Sequence, residues 1–240
     1  MRQGTSRPEL ISLFENSPIT PPDDLLTNLY IYQPATILAK TLYLNELYTR
    51  IMHLPGDIFE FGVWWGANIS LFANLRTVHE PYNRTRKIVG FDTFTGYPEP
   101  SDKDKVSPHM KTGLYGVGKG YRGYLEAVLA AHEKESPTPH VRKFELVEGL
   151  VEETLPKYLA ENPQCFVALA YLDLQTYEGT KAALEGIKPR LMPGSILAMD
   201  ELTAKDYQGE ALAFREVFGQ SGYTIRRSQF LPDRSLVTIQ

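Results

Sequence analysis

Apolar and polar positions follow two rhythms along the chain, and each rhythm predicts one kind of element. Short apolar runs of five to seven residues predict strands, whereas apolar residues three and four positions apart predict helices. The strands predicted in this way span residues 57–61, 87–91, 141–147, 166–172, 195–199, 223–229 and 235–239. The predicted helices span residues 37–52, 68–80, 123–134, 152–161, 177–191 and 210–218.

From residue 57 onward the predicted strands and helices alternate, which is the pattern of a mainly parallel sheet covered by helices on both faces. A short connection around Pro232-Asp233 joins the last two strands, so one of them runs antiparallel to its neighbour. We therefore predict an α/β fold with a seven-stranded, mostly parallel sheet whose last strand is antiparallel. Residues 1–54 are predicted to form an N-terminal arm and helical segment, and residues 55–240 one domain.

Two stretches lie outside this alternation. Residues 1–23 are rich in proline and serine, and we expect an arm or loop there. Residues 98–120 combine glycine, proline and charged residues and predict a long loop, a feature that inside a compact domain is usually either functional or disordered. We interpret this loop as a lid that closes over a ligand and excludes water. His109 within it is a minor candidate for a catalytic base.

Composition narrows the classes of function. Of the 240 residues, 42% are hydrophobic and 22% are charged, as in an ordinary globular protein. The formal net charge of -4 argues against nucleic acid as a partner, because binding to phosphates requires a basic face. The start is not of signal-peptide type and no apolar stretch reaches the roughly 18 residues of a membrane span, so we expect a cytoplasmic protein without a membrane contact. The single cysteine, Cys165, begins an apolar run, which predicts a buried thiol without a redox role.

Ligands of parallel sheets bind beyond the carboxyl ends of the strands, so the residues at those ends are the candidates for a site. The first strand runs into Glu60-Phe61-Gly62-Val63-Trp64-Trp65-Gly66. Its two glycines let the backbone approach a ligand closely, and the following helix presents N–H groups suited to a carboxylate. The candidate cofactor contacts in this turn are Glu60, Phe61, Gly62, Val63 and Gly66. The turn lacks the Gly-x-Gly-x-x-Gly fingerprint of nicotinamide-binding proteins.

The ends of the second and third predicted strands add further candidate cofactor contacts. Asp92 follows the second strand, and its carboxylate can accept hydrogen bonds from both hydroxyls of a ribose. Thr93 and Phe94 continue the same turn, while Gly149 and Leu150 follow the third strand, where an adenine ring would lie. The competing interpretation of Asp92 is a turn or helix-capping residue. The order of a glycine turn after the first strand and an acid after the second favours the ribose contact.

Three carboxylates follow the fourth and fifth predicted strands, namely those of Asp173, Asp200 and Glu201. These strands would be neighbours in the sheet, so the carboxylates can converge at one rim, where they would repel one another. A hard divalent cation removes that conflict, and Mg²⁺ prefers oxygen ligands. The sequence therefore predicts a magnesium site formed by these three residues. The alternative is that one or two of them cap helices or pair with lysine or arginine.

Several of these segments together resemble the macrocin O-methyltransferase (TylF-like) family, whose members methylate sugar hydroxyls on natural products. The segments are residues 60–66, Asp92-Thr93-Phe94-Thr95-Gly96-Tyr97-Pro98 and residues 173–180. The resemblance implies a Rossmann-like class I methyltransferase fold, S-adenosylmethionine as cofactor and a small-molecule glycoside as acceptor, and it hints at an enediyne pathway. It also implies that Asp173, Asp200 and Glu201 hold Mg²⁺ and that Asp173 acts as the catalytic base.

The chain departs from the family pattern at two of these positions. Gln175 stands where the family has a second aspartate, and Glu201 replaces the second aspartate of a pair. Glutamate is still an oxygen ligand, but its side chain reaches further. Three other functions stay open: a metal-dependent methyltransferase of catechols or other phenols, a nucleotide-sugar or cofactor-binding protein without turnover, and an NAD-dependent oxidoreductase. We further expect a homo-oligomer.

Overall fold

The computed structural model of the protein describes residues 7–104 and 111–240. Contacts divide the chain into two compact units, Met1–Thr41 and Leu42–Gln240. The described part of the first unit contains α1 (Pro8–Glu15), α2 (Pro22–Thr27) and a 3-10 turn (Leu29–Tyr32). The expectation of an arm or loop over residues 1–23 is therefore wrong for α1 and for the start of α2. Both helices begin with a proline, whose fixed φ suits the first helical position.

The helix α3 (Ala35–Ile51) begins in the first unit and ends in the second. Residues 7–41 include no buried residue, whereas Tyr43, Leu47 and Ile51 on the later turns of α3 are fully buried. These later turns therefore belong to the core of the second unit. The domain boundary that we placed after residue 54 stays a prediction.

The second unit is built on one seven-stranded sheet with the strand order β3-β2-β1-β4-β5-β7-β6. Its strands are β1 (Asp57–Phe61), β2 (Ile88–Asp92), β3 (Phe144–Glu148), β4 (Val167–Leu172), β5 (Leu191–Met199), β6 (Tyr223–Arg227) and β7 (Ser235–Ile239). β7 pairs antiparallel with both of its neighbours, and the other pairs are parallel. The predicted α/β fold with an antiparallel last strand is confirmed.

The described residues of the second unit form five more helices: α4 (Ala67–His79), α5 (Tyr121–Lys134), α6 (Val151–Glu161), α7 (Tyr177–Ile187) and α8 (Gln208–Phe218). The helix predicted over residues 177–191 is shorter than expected. It ends at Ile187 because a 3-10 turn, Lys188–Arg190, contains Pro189, which has no N–H to continue the helical bonds. Leu191 already begins β5, four residues before the predicted start of that strand.

The helices cover both faces of the sheet, as the buried side chains of β1 illustrate. Ile58 packs in a cluster with residues of α3, α4 and α5, whereas Phe59 and Phe61 pack in a second cluster with residues of α6, α7 and α8. Successive strand residues point to opposite faces, so one strand contributes to both clusters. Among the described residues, no helix combines the length and the apolar character needed to cross a membrane.

Candidate active site

The turn after β1 is shaped by its two glycines. Gly62 has a φ of 90° and Gly66 a φ of 77°, both in the left-handed region that other residues rarely adopt. A Cβ at Gly62 would overlap the carbonyl group of Asp173, and a Cβ at Gly66 would overlap the side chain of Leu125. The backbone conformation therefore favours glycine at both positions, and at Gly62 the protein's own packing requires it as well. This adds to the close approach of a ligand that the sequence suggested.

Asp92 connects the turns that follow the first three strands. Its Oδ2 accepts a hydrogen bond from the N–H of Trp64 at 2.7 Å, and its Oδ1 accepts one from the N–H of Phe94 at 2.6 Å. Its main-chain carbonyl accepts the N–H of Gly149 at 3.0 Å. A carboxylate has about four lone-pair sites, so it can accept further bonds from ribose hydroxyls. The structure thus brings the predicted contacts after β1, β2 and β3 together.

The other predicted cofactor contacts differ in exposure. Glu60, Phe61, Val63 and Phe94 are all buried. The ring of Phe61 stacks on Phe91 in the core, with ring centroids 5.0 Å apart. Phe61 can therefore contact a ligand at the rim only through its main chain, whereas Leu150, which precedes α6 and is 36% exposed, presents its side chain. Thr93 donates its hydroxyl hydrogen to the carbonyl of Gly96 at 2.8 Å.

Asp173 and Asp200 lie side by side at the ends of β4 and β5. The N–H of Asp173 donates to the carbonyl of Phe61 at 2.9 Å, and the N–H of Asp200 donates to the carbonyl of Leu172 at 3.1 Å. Each residue is thus hydrogen-bonded to the end of the neighbouring strand. The acid residues predicted after β4 and β5 therefore share one rim of the sheet with the turn after β1.

Asp200 is paired with a residue that sequence reasoning missed, Arg234. The Nε of Arg234 lies 2.5 Å from Oδ1 of Asp200, and its Nη1 donates to the main-chain carbonyl of Asp200 at 3.0 Å. The hydroxyl of Tyr171 donates to the same Oδ1 at 2.8 Å. Pairing with arginine was one alternative to metal binding, and for Asp200 the structure contains that pair. Nothing in the local sequence indicated it, since Arg234 lies in the connection between β6 and β7.

Two glutamates crowd the same rim. Glu201 is buried, and its pKa is raised by burial and then by the charge of Asp200. Glu210 of α8 is fully buried and accepts the N–H of Glu201 through Oε1 at 3.0 Å. Burial, followed by the charge of Asp200, raises the pKa of Glu210, and Asp173 acts in the same direction. Sequence reasoning missed Glu210, although an acid on the apolar face of a predicted helix was a usable signal.

The predicted metal ligands are chemically suited to a hard cation, because all of them are carboxylates. Their mutual effect on pKa also agrees with the repulsion that motivated the prediction. Within residues 7–104 and 111–240, however, no three histidine, cysteine, aspartate or glutamate side chains form a group that could hold a metal ion. Arg234 already compensates part of the charge on Asp200. The magnesium site stays a prediction.

The predicted lid is described only in its outer parts, because residues 105–110, including His109, lie outside the described residues. Asp104 attaches the first part to α7, since its Oδ1 accepts the N–H of Tyr177 at 2.7 Å. Lys103 lies 2.5 Å from the hydroxyl of Tyr177 and 3.2 Å from Glu216 of α8. The start of the loop is therefore bonded to the same helices that flank the acid rim. Its gating role stays a prediction.

Tyr97 connects the loop to the acid rim. Its N–H donates to the carbonyl of Leu114 at 3.0 Å, and its carbonyl accepts the N–H of Gly113 at 2.9 Å, so the two described ends of the loop are paired. The hydroxyl of Tyr97 donates to Oε1 of Gln175, whose Nε2 donates to Oδ1 of Asp173 at 3.2 Å. A hydrogen-bond chain therefore runs from the loop to the predicted base.

Aromatic side chains form a row that begins at Tyr97, the first residue of this hydrogen-bond chain. Ring centroids lie 5.1 Å apart between Tyr97 and Tyr115, 6.1 Å between Tyr115 and Trp64, and 5.6 Å between Trp64 and Trp65. Trp65 is 44% exposed and contacts Tyr121 of α5 at 4.7 Å. The row includes the exposed ring of Trp65, which is suited to packing against the apolar face of a ligand ring.

The sheet order with its reversed strand β7, together with polar residues at the carboxyl ends of neighbouring strands, defines a class I S-adenosylmethionine-dependent methyltransferase fold. Within that class, the sequence model of the macrocin-O-methyltransferase (TylF) family matches residues 43–219, and the chain belongs to this family. The resemblance noted in the sequence is confirmed. Family membership supports S-adenosylmethionine as the cofactor.

Solved structures extend the similarity beyond the family segment. The crystal structure of CalS11, a calicheamicin methyltransferase, has a TM-score of 0.93 and 45% sequence identity, over 96% of this chain and 90% of that chain. The apo structure of CalS11, described as a TDP-rhamnose 3'-O-methyltransferase, has a TM-score of 0.84 and 42% identity, over 96% and 91% of the two chains. The hint of an enediyne pathway agrees with this similarity, because calicheamicin is an enediyne.

Among curated proteins, the chain is similar to a sugar methyltransferase of Streptomyces olivaceus, the 8-demethyl-8-(2,3-dimethoxy-alpha-L-rhamnosyl)-tetracenomycin-C 4'-O-methyltransferase. The two are 32% identical over 154 residues, which is 62% of this chain and 53% of that protein. The chain spans about half the length of the curated relatives it matches.

Proposed function

We propose that the protein is an S-adenosylmethionine-dependent O-methyltransferase that methylates a sugar hydroxyl during the biosynthesis of a natural product. The observation that carries this proposal is the family match over residues 43–219. The site supports it, because Asp92 bonds the turns after the first strands and Asp173 lies two strand ends away on the same rim. The same arrangement has no nicotinamide fingerprint, which argues against the oxidoreductase.

When bound, S-adenosylmethionine supplies an electrophilic methyl group. The turn from Gly62 to Gly66 would hold its methionyl carboxylate, because the N-terminus of α4 presents main-chain N–H groups to an anion. Asp92 would accept hydrogen bonds from the ribose hydroxyls, and Leu150 would pack against the adenine ring. These residues orient the cofactor along the ends of β1, β2 and β3, which leaves the rim of β4 and β5 for the acceptor.

Asp173 is the proposed general base. A sugar hydroxyl is a weak acid, so its oxygen becomes a good nucleophile only as its proton is removed. The carboxylate of Asp173 would take up the hydroxyl proton as the oxygen bonds to the methyl carbon, whose bond to the sulfonium sulfur breaks to leave S-adenosylhomocysteine. Holding the hydroxyl in line with the methyl group contributes to the rate without any further chemistry. The neighbouring aromatic row from Tyr97 to Trp65 would pack against the acceptor.

We extend the proposal to a divalent cation at the same rim. Asp173, Asp200 and Glu201 would hold Mg²⁺, whose chemistry there is to lower the pKa of the acceptor hydroxyl. Calorimetric titration with MgCl₂ should detect binding that Asp200→Asn weakens, independently of turnover. A chelator should abolish methyl transfer and added Mg²⁺ should restore it. Undiminished turnover in excess chelator would leave Asp173 as a metal-free base.

We propose a rhamnose-type sugar as the acceptor, since CalS11 is named a TDP-rhamnose methyltransferase and the Streptomyces olivaceus relative acts on a rhamnosyl group. The test is to incubate the protein with S-adenosylmethionine and, separately, TDP-rhamnose, a rhamnosylated natural product or a catechol. Mass spectrometry should detect one added methyl group on a sugar-bearing acceptor. Methylation of the catechol alone would favour the phenol-directed alternative. Cofactor binding without any methylated product would favour the binding protein.

The expected homo-oligomer is also a proposal. The described part of the first unit exposes many large apolar side chains, among them Ile11, Leu13, Phe14, Leu26 and Ile31. Helices as short as α1 and α2 are marginal in water without a packing partner, so a second copy of the chain would stabilise them. Light scattering on the intact protein should give a mass above that of one chain. A monomer would refute the homo-oligomer and leave the proposed activity untouched.

A further inference from the structure

We propose that Gln175 is a positioning residue that orients the carboxylate of Asp173 and connects it to the loop through Tyr97. The inference rests on the proposed function, in which Asp173 is the base. Gln175 lies in the turn between β4 and α7, two residues after Asp173. It takes the place of an aspartate in the family pattern that the sequence otherwise resembles, so its role is specific to chains with an amide here.

The backbone of Gln175 is held in an uncommon conformation. Its φ is 62°, in the left-handed region that residues other than glycine rarely adopt, yet the residue is buried. Such a conformation persists where the surrounding contacts determine it, and it is concentrated at functional sites. The amide is therefore placed by the turn itself, and its two ends meet two different partners.

The polarity of the hydrogen-bond chain follows from the chemistry of its ends. An ionised carboxylate only accepts hydrogen bonds, so the amide must direct Nε2 toward Oδ1 of Asp173, at 3.2 Å. Oε1 of Gln175 is then directed toward Tyr97, whose hydroxyl must donate to it. The direction of each hydrogen bond thus depends on the other, and rotation of the Gln175 amide by half a turn would break both of them. The chain holds Asp173 in one orientation.

An acid at position 175 could not do this. A carboxylate offers no hydrogen to Asp173, and its charge would repel the neighbouring carboxylate. The substitution of an amide for the family's aspartate therefore converts a repulsive neighbour into a donor. Asp200, Glu201 and Glu210 at the same rim are acids, and Arg234 contacts Asp200, so Gln175 is the neutral donor that bonds to the side chain of Asp173.

The hydrogen-bond chain from Tyr97 through Gln175 also connects Asp173 with the loop. The main chain of Tyr97 pairs with Gly113 and Leu114, and its ring packs on Tyr115 at 5.1 Å. Displacement of this paired segment would carry the Tyr97 hydroxyl away from Gln175. Asp173 would then lose the fixed amide that orients it. The arrangement therefore makes the orientation of the base depend on the loop being in place.

Gln175→Glu is the direct test, because it keeps the shape of the side chain and removes the donor. We expect kcat to fall about 10- to 100-fold, the usual effect of removing a group that orients an active-site residue. The Kd of S-adenosylhomocysteine should be unchanged. Hydrogen exchange at residues 111–117 should stay at the wild-type rate, because a carboxylate oxygen at position 175 still accepts the hydroxyl hydrogen of Tyr97. Tyr97→Phe removes the hydrogen bond to Oε1 of Gln175, so it should lower kcat and also make exchange at residues 111–117 faster. The kcat of the double variant should be no lower than that of Gln175→Glu alone, because both substitutions act through the orientation of Asp173.

Gln164→Glu is the matched control, because Gln164 is exposed in the turn before β4 and undergoes the same change of charge. It should leave kcat and exchange unchanged. Wild-type kcat in both Gln175→Glu and Tyr97→Phe, or wild-type exchange in Tyr97→Phe, would overturn the inference while leaving the proposed function standing. If the wild-type protein methylates no sugar, the proposed function fails, and the exchange at residues 111–117 still decides whether Gln175 and Tyr97 hold the loop.

Discussion

The amino and carboxyl edges of the sheet both bury charged side chains, but the two edges balance these charges differently. At the amino edge, Arg86 precedes β2 and is almost fully buried. It donates to Oε2 of Glu80 and to the carbonyl oxygens of Gly56 and Leu54, each at 2.7 Å. Tyr48 donates to the same Oε2 of Glu80 at 2.6 Å. The charge and the donors of Arg86 are thus matched by partners.

A second cluster at the amino edge follows the same rule. Glu133 at the end of α5 pairs with Arg76 of α4 and accepts the N–H of Lys143 at 2.7 Å. The Nζ of Lys143 donates to the carbonyl oxygens of Thr138 and Val141, each at 2.9 Å. Two buried cations thus share the carboxylate of Glu133, and main-chain carbonyl oxygens accept the hydrogen bonds of Lys143. This is the condition under which buried ions are tolerated inside a protein.

The carboxyl edge collects acids instead. Asp173, Asp200, Glu201 and Glu210 influence one another, and Arg234 contacts Asp200. Raised pKa values in a crowded group of acids, as at Glu201 and Glu210, are typical of sites that handle protons or cations, whereas buried ion pairs with satisfied donors are typical of structural clusters. The comparison teaches that the arrangement of buried charges, and not their mere presence, separates the proposed functional edge of this sheet from the structural one.

The largest effect is expected for a substitution at the carboxyl edge, Asp173→Asn, which tests whether the acids there are functional. Asp173→Asn keeps the shape of the side chain but removes the proposed base, so kcat should fall by about 100- to 10,000-fold, the range for general bases. The thermal unfolding midpoint should stay the same or rise, because one charge leaves a group of repelling acids. Steady-state kinetics and calorimetric unfolding measure the two quantities. A variant that is fully active, or one that is inactive only because it unfolds, would contradict the assignment.

The next effect concerns the amino edge, where a substitution should lower the stability of the fold. Arg86→Ala leaves Glu80 and several carbonyl oxygens buried without their partner, so the free energy of unfolding should fall by about 3–5 kcal/mol. Urea unfolding followed by circular dichroism measures this loss. Arg84→Ala, an exposed arginine two residues away, is the matched control and should change stability little. Equal effects of the two substitutions would show that the buried network at this edge does not stabilise the fold.

A smaller effect is expected at Asp92, whose carboxylate has both structural hydrogen bonds and a proposed contact with the cofactor. Asp92→Ala should weaken S-adenosylhomocysteine binding by about 1.5–3 kcal/mol, the scale of hydrogen bonds to a charged group. Isothermal calorimetry gives the Kd, and NAD should not bind. Asp23→Ala, which removes an exposed carboxylate of the first unit, is the control. Unchanged affinity in Asp92→Ala would leave Asp92 with only its structural bonds to Trp64 and Phe94.

The smallest effect tests whether a raised pKa alone marks a functional group. Cys165 at the amino edge is buried beside Asp57, and burial, followed by that neighbouring charge, raises the pKa of its thiol to about 12. Almost no thiolate exists at pH 8, so iodoacetamide should label the native protein very slowly and the urea-unfolded protein quickly. Mass spectrometry measures the labelled fraction. Rapid labelling of the folded protein would show that this thiol is accessible and ionised.

Much of the fold followed from local patterns. Apolar periodicity predicted the strand Asp57–Phe61 to the residue and located the other strands within a few positions of their observed ends. The candidate residues Asp92 and Asp173 followed from the same pattern, because parallel strands bring their carboxyl ends to one edge. From the sequence, Gly62 was interpreted as allowing the backbone to approach a ligand closely. The structure adds a second reason, because a Cβ at this position would overlap the carbonyl group of Asp173.

By itself, then, the sequence determined which segments are strands and that Asp92, Asp173, Asp200 and Glu201 follow strands at one edge of the sheet, since burial periodicity and strand polarity are local properties. Only the tertiary structure decided that Arg234 pairs with Asp200, 34 residues away, and that Tyr97 reaches Gln175 across 78 residues. Hydrogen bonds and ion pairs depend on distances of a few tenths of an ångström. Those distances depend on sheet register and on the path of each connection, which no local pattern encodes.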